Sequence, residues 1–349
     1  IDEIKIYGDA DFVNGGEVLL ATYRTSRYLE WVSLPLLAQG NWKRLKLERV
    51  SPQAFIKRLV LYGYLNTAGY TEPGCCGSGT AIQVGSAASP PKATASVAFG
   101  ANTTQTGQEI VVKGNFTFDM ASLTFDNCTI YMDGTGDVSL AAAGNTATKQ
   151  LYLKGSTVQG CKTLWRGIKV FPTTQTYVEP NAGGKVSVIR DAEKAFDVQR
   201  SSSTATTFLK FDGAVFEKNM YGVFVNDNTC TGCSLLDINP SSVVKGTIFD
   251  GTSTQLKPGY PGMTAGTYKP KSVAGMDINK SASLTVGVAG ASANVFQQSD
   301  YGIISRNTNL TVLNSTFKDI LVGSGGTGMG IWGRDGAKLT QTGLGQTNA

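Results

Sequence analysis

The strongest signal along the chain is a recurring order of positions: apolar, any, apolar, any, a turn residue, a small residue, any, apolar. Six segments follow it: Leu123 to Ile130, Leu151 to Val158, Val186 to Asp191 in its first half only, Leu209 to Phe216, Leu236 to Val243 and Leu310 to Phe317. Alternation with period two, β-branched and aromatic residues, and Asn or Gly at the corners predict short strands with one buried face. A second frame, an aromatic or Met, then Gly, then alternating apolar residues, follows several of these. Trp165-Arg-Gly167-Ile168, Tyr221-Gly222-Val223 and Tyr301-Gly302-Ile303 are examples. Each unit therefore holds two or three strands, and helical spacing is nearly absent after residue 100.

Successive starts from Leu123 to Leu236 lie 23 to 35 residues apart, and the variation falls in Gly-, Ser-, Thr- and Pro-rich stretches at 172–184 and 251–271, which read as loops. One such unit cannot bury its apolar stripe alone. Stacking units at the ~4.8 Å strand spacing makes a continuous core, so the expected fold is all-β, a right-handed parallel β-helix, the hand following from the crossover rule. Leu123, Leu151, Val186, Leu209, Leu236 and Leu310 should point inward in one ladder, with Asn127, Gly155, Gly213, Pro240 and Asn314 stacked at a corner. An antiparallel β-sandwich explains the alternation equally well. It does not explain why the turn residue recurs at one offset.

The segment from Leu151 to Phe196 carries Ser-Thr-Val-Gln-Gly-Cys, then Leu-Trp-Arg-Gly-Ile-Lys-Val, then Gly-Gly-Lys-Val-Ser-Val-Ile-Arg-Asp-Ala-Glu-Lys-Ala-Phe. It resembles the right-handed β-helix repeat regions of large surface proteins of the Bacteroidota exported by type IX secretion. The Trp-Arg-Gly-Ile element followed by a strand and an Asp-Ala pair is the specific part, and the likeness spans roughly residues 110–349. It implies fold and secretion route more than activity. It also implies a signal peptide and a C-terminal sorting domain in the whole protein.

Composition narrows the chemistry. The 349 residues include 42 Gly and no His, and 16% are charged, against roughly a quarter in ordinary globular chains. Without imidazole there is no Ser-His-Asp or Cys-His pair, no HExxH helix and no His-ligated metal. The net charge of +5 is spread thinly, so nucleic acid is not an expected partner. No apolar stretch approaches the ~20 residues of a membrane helix. The sequence starts at Ile1 without a leader, and its last repeat-like stretch, 328–343, stops soon after it starts; a mature form or fragment continuing past Ala349 is expected.

Residues 1–85 read as an N-terminal cap or small separate module and 86–349 as the β-helix. Ser51 and Pro52 form a helix-start signal, and Phe55, Ile56, Leu59 and Val60 share one face of the helix they begin. Such a helix would cover the open end of the solenoid. Two other readings are a partner-docking surface with Trp42, Lys43 and Arg44, and a small β-domain.

Six cysteines invite metal or disulfide readings. Cys230 and Cys233 have the spacing of half a zinc site with no second half, so a local disulfide is preferred and neither metal nor cofactor is expected. Adjacent Cys75 and Cys76 should pair elsewhere or stay free, while Cys128 and Cys161 sit at small-residue positions that suit buried free thiols. Gly323 to Gly328 matches GxGxxG but is flanked by strand patterns on both sides, which makes it a turn. For catalysis the candidates are Arg166, Lys169, Arg190 and Asp191, with Glu193 and Lys194 nearby, although alternation puts Arg166 and Lys169 on opposite faces. The preferred reading is a non-catalytic extracellular or cell-surface protein, adhesin-like or filament-forming. Its rigid rod would contact glycans or surface proteins, or associate with itself through open ends. The alternative is a polysaccharide lyase or glycoside hydrolase on one β-helix face.

Overall fold

The computed structural model describes residues 2–9, 18–25, 44–49, 77–85, 93–133, 136–140, 148–199, 206–225, 238–251, 256–264, 266–279, 283–320 and 328–347. The chain divides into two compact units between Thr71 and Glu72. The first contains a three-stranded antiparallel sheet with Asp2–Asp9 between Val18–Thr25 and Arg44–Arg49. Arg44 opens its third strand opposite Asp9. Trp42, Lys43 and the expected helix at 51–60 lie outside the described residues.

The second unit is a right-handed parallel β-helix built from an eleven-stranded, a nine-stranded and a six-stranded sheet. Its first strand, Ile82–Gly85, falls on the N-terminal side of the boundary read from the sequence, yet it already pairs in parallel with Glu109–Lys113. From Thr104–Thr106 to Ala274–Asn279 the chain visits the six-, eleven- and nine-stranded sheets in that order, because short alternating runs separated by left-handed corners turn it without breaking the ladder; from Ser283–Val286 onward its strands belong to the eleven- and nine-stranded sheets. The corner after the six-stranded sheet is made by Asn127 (φ 54°), Gly155 (56°), Gly213 (63°) and Gly246 (57°), and Asn314 (41°) makes the equivalent bend inside Asn309–Lys318 of the eleven-stranded sheet. These are residue types that tolerate positive φ.

The small residue after each corner does a second job. Ser156 Oγ accepts from the backbone N–H of Cys128 at 2.9 Å, Ser187 Oγ from that of Ser156 at 3.2 Å, and Asn294 Oδ1 from that of Thr247 at 3.0 Å. Buried backbone groups that the turn removes from the ladder are thereby satisfied.

The inward ladder is seen at Leu123, Leu151 and Leu209, and again at Leu310. Two expected positions differ. Val186 is 40% exposed, because its segment aligns with the corner: Ser187 matches Ser156, and an insertion between Glu179 and Ser187 hides the true repeat in Thr174–Glu179. Thr176 occupies the Leu position there, in register with Leu151 and Leu209. Pro240 is likewise not a ladder corner. The repeating frame lies a few residues later, where Val244 pairs with Phe211 and Gly246 supplies the turn. Leu236 lies outside the described residues.

Thr176 is fully buried and its hydroxyl has no hydrogen-bond partner. An orphaned buried hydroxyl costs about 1–3 kcal/mol, so Thr176→Val should raise stability by about 1 kcal/mol in urea unfolding. An unchanged or lower midpoint would refute this account of the position.

On the eleven-stranded sheet the inward register runs Ile110, Ile130, Val158, Ile189, Phe216, Phe249, Phe296 and Phe317. The last four rings stack at centroid distances of 4.8, 4.7 and 5.1 Å. These rings explain the glycine of the second frame. A Cβ on Gly302 would lie 2.4 Å from the Gly330 carbonyl oxygen and 2.5 Å from the Phe317 ring. At the first coil the one described helix, α1 (Ala95–Phe99), turns Phe99 against Phe116 and Phe125 at 6.1 and 5.9 Å. Among the described residues, α1 is thus what closes the apolar lumen at this end.

Candidate functional site

The outer face of the nine-stranded sheet carries an array of aromatic and charged side chains. Inward Phe196, Val223, Met276 and Ile303 put the residues one and three positions on outward, and the step at Gly222, Gly275 and Gly302, which face the inward Phe rings, breaks the alternation so that the residue before each glycine also faces outward. One row runs Lys194, Tyr221, Ala274, Tyr301 and Met329. The next runs Lys169, Asp197, Phe224, Asp277, Ile304 and Trp332. A third holds Asn279, Arg306 and Arg334.

At the near end Lys194 Nζ lies 3.9 Å from Asp197, 4.0 Å from Glu193 and 4.4 Å from the Phe224 ring centroid. Tyr221 meets Phe224 edge to face at 5.1 Å. At the far end Tyr301 and Trp332 stack at 5.0 Å with planes 17° apart, and the Arg334 guanidinium sits 5.0 Å over the indole. Between them Arg306 is ion-paired with Asp277.

The carboxylates here are buried. Burial pushes the Asp197 carboxyl upward in pKa, while Lys194 and Lys169 pull it down. Burial likewise raises Asp277, opposed by Arg306 and Arg334. Tyr221 is pushed up to about 12 by burial and by the negative charge of Asp277, so its phenol stays protonated as a donor. Three polar atoms of this face are buried without a partner: Asp197 Oδ1, Asn279 Oδ1 and Arg306 Nε.

Loop residues within 256–264 and 266–272 brace the neighbouring edge. Tyr260 donates to Glu193 at 2.6 Å and lies under Arg166 at 5.3 Å, while Leu256 and Tyr260 pack with Leu164 and Met220. Lys257 Nζ donates to the carbonyls of Gly160 and Cys161 at 2.8 and 2.6 Å and pairs with Asp191 at 3.2 Å.

The four candidate catalytic residues do not converge. Lys169 belongs to the nine-stranded face beside Asp197, and Arg166 stands one coil before Lys194, whose N–H donates to its carbonyl at 3.2 Å, with its guanidinium over Tyr260. Arg190 lies on the eleven-stranded sheet, donating to Gln159 at 2.7 Å and 3.8 Å from Glu217. Asp191 is a buried corner residue at φ 62°, its carboxyl raised by burial and held by Lys257. Its role is to anchor the loop.

Cys128 is a buried free thiol, raised in pKa by burial. Cys161 is buried as expected but is disulfide-bonded, which corrects its reading as a free thiol. Its partner and the Cys230 and Cys233 pair lie outside the described residues. No group of three metal-ligating side chains occurs among the described residues, and no helix there is long and apolar enough to cross a membrane.

Sequence reasoning passed over Asp197, Phe224, Asp277, Asn279, Arg306, Trp332 and Arg334. A signal was available, since after the Gly of the second frame the outward positions fall two and four residues on: Asp277 and Asn279 after Gly275, Trp332 and Arg334 after Gly330. No family model, no curated protein and no solved structure matches this chain.

Proposed function

We propose that this β-helix is a non-catalytic surface protein that binds polysaccharide along the outer face of its nine-stranded sheet. The observation that carries this is the outward strip from Lys194 and Phe224 to Tyr301, Trp332 and Arg334. Its aromatic and cationic side chains lie in rows whose neighbouring positions are one coil, ~4.8 Å, apart, a step comparable to a sugar ring. Aromatic residues with polar edges suit surfaces that are partly apolar and partly wet. The rigid stack presents them pre-ordered, which lowers the entropic cost of binding.

Hydrolysis fits the geometry less well. Asp197 and Asp277 stand two strands apart, about 10 Å at the usual spacing, with Phe224 between them and both carboxylates nearly fully buried. An inverting pair needs open space for a water between its acids.

An extracellular or cell-surface location is part of the same proposal. It is supported by the disulfide at Cys161, since such bonds persist in oxidising compartments, and by the resemblance to Bacteroidota type IX cargo. Loss of surface display in a producing strain without that translocon would support the route. Unchanged display would remove it.

Affinity electrophoresis against acidic and neutral polysaccharides tests the binding. Trp332→Ala should weaken retention at least about tenfold, the scale of 1.4 kcal/mol, whereas Arg190→Gln, on the other sheet, should leave it unchanged. Release of reducing ends or unsaturated products that Asp197→Asn abolishes would replace binding with catalysis.

A further inference from the structure

Arg306 and Arg334 are register partners on adjacent parallel strands, so two guanidinium-bearing positions stand about 4.8 Å apart on one face. Like charges directly opposite one another repel. Among the described residues each guanidinium pairs with one carboxylate. Arg306 is tied to Asp277, whose side chain is 5% exposed, and Arg334 Nε donates to Asp335 at 2.8 Å.

Among the described residues no acceptor joins the two arginines. Arg306 Nε is buried without a partner, and so is the Oδ1 of Asn279, which sits in register with Arg306 on the preceding coil. A buried donor and a buried acceptor left open side by side cost stability unless something outside the chain completes them. Beside them lies the Tyr301 and Trp332 stack, with Arg334 over the indole.

We propose that Asn279, Arg306 and Arg334, next to Tyr301 and Trp332, form a subsite for an anionic sugar unit of a polysaccharide. The two guanidiniums take its carboxylate or sulfate, the group whose planar or tripodal oxygens a pair of arginines matches best. Asn279 Oδ1 accepts from a neighbouring hydroxyl, and the sugar ring lies along the aromatic stack. Binding of an anion also removes the repulsion that the arginine register builds in. This inference rests on the reading of the nine-stranded face as a polysaccharide surface, and it adds the charge class of the ligand.

The test uses four polymers in titration calorimetry with the full chain: polygalacturonate, its carboxyl-reduced neutral form, dextran sulfate and dextran. At least one anionic polymer should bind about tenfold or more tighter than its neutral counterpart, a difference of 1.4 kcal/mol. The pair that shows it identifies carboxylate or sulfate as the recognised group. Arg334→Gln should erase that preference, and Arg334→Lys should restore only part of it. The Arg334 side chain is 45% exposed, so its loss should leave the thermal unfolding curve in place, and that curve is measured alongside. Equal affinity for a polymer and its neutral form, or an anionic preference that survives Arg334→Gln, overturns the subsite. Failure of all four polymers overturns the polysaccharide reading and the subsite with it. Binding that Trp332→Ala abolishes while Arg334→Gln leaves the anionic preference in place overturns the charge assignment alone.

Discussion

Phe296→Ala should lower the unfolding free energy of the β-helix by about 3–5 kcal/mol, the usual range for deleting a buried aromatic ring from a packed core. Phe296 is fully buried and stacked on both sides, at 4.7 Å to Phe249 and 5.1 Å to Phe317. The cavity cannot collapse easily. Its walls are ladder strands whose spacing is set by backbone hydrogen bonds, and Gly275 already brings its backbone against the Phe296 ring, where a built Cβ would lie at 2.7 Å. Phe296→Leu, which keeps much of the volume, should lose much less. Urea unfolding followed by circular dichroism measures both. A loss below about 1 kcal/mol for Phe296→Ala, under the lower bound for such truncations, would show that the aromatic ladder does not hold the coils together.

Removing Arg306 should produce a loss of similar size that depends on pH. Arg306→Gln leaves the Asp277 carboxylate buried without its cation, and breaking a buried pair in this way costs about 3–5 kcal/mol. Arg306 is 24% exposed and Asp277 5%, which favours the lower end. Burial already raises the Asp277 pKa in the folded state despite Arg306 and Arg334. The folded state therefore holds this proton more tightly than the unfolded chain, and stability falls as pH rises through the folded value. Without Arg306 that value climbs further. The deficit of the variant should be largest at pH 7 and should shrink as pH falls toward the unfolded carboxyl value of about 3.9. Urea unfolding at both pH values decides the matter, and an equal deficit at each would mean that lost packing, not the stranded charge, carries the effect. In the parent protein Asp191 and Asp197 slope in the same direction, since burial raises both.

The amino-acid order by itself determined the class of fold and its period. Alternation in segments such as Leu151 to Val158 needs only local information, because side chains of a strand point to opposite faces whatever lies beyond. The corners were legible for a similar reason. Asn127, Gly155, Gly213 and Asn314 occupy positive φ, which few residue types accept. The expected β-helix, the inward Leu123, Leu151, Leu209 and Leu310, and the absence of His-based chemistry all follow from this level.

Register and side-by-side placement were decided only in three dimensions. Val186 read as a core residue because its run alternates, yet the insertion before Ser187 shifts which face is buried, and a shift of one residue inverts every side chain. Thr176 was invisible as a ladder member because its neighbours in the stack, Leu151 and Leu209, are 25 and 33 residues away in sequence. The site has the same origin. Asp277, Arg306 and Arg334 come from three successive coils, so no local window contains them together. Arg190 and Asp191, adjacent in sequence to a plausible cluster, face away from it at a corner and on another sheet. Sequence neighbours in a solenoid diverge onto different faces within a few residues, whereas residues one coil apart converge to ~4.8 Å. Which charges meet is therefore set by the lengths of the loops between coils, and those lengths act only once the coils are stacked.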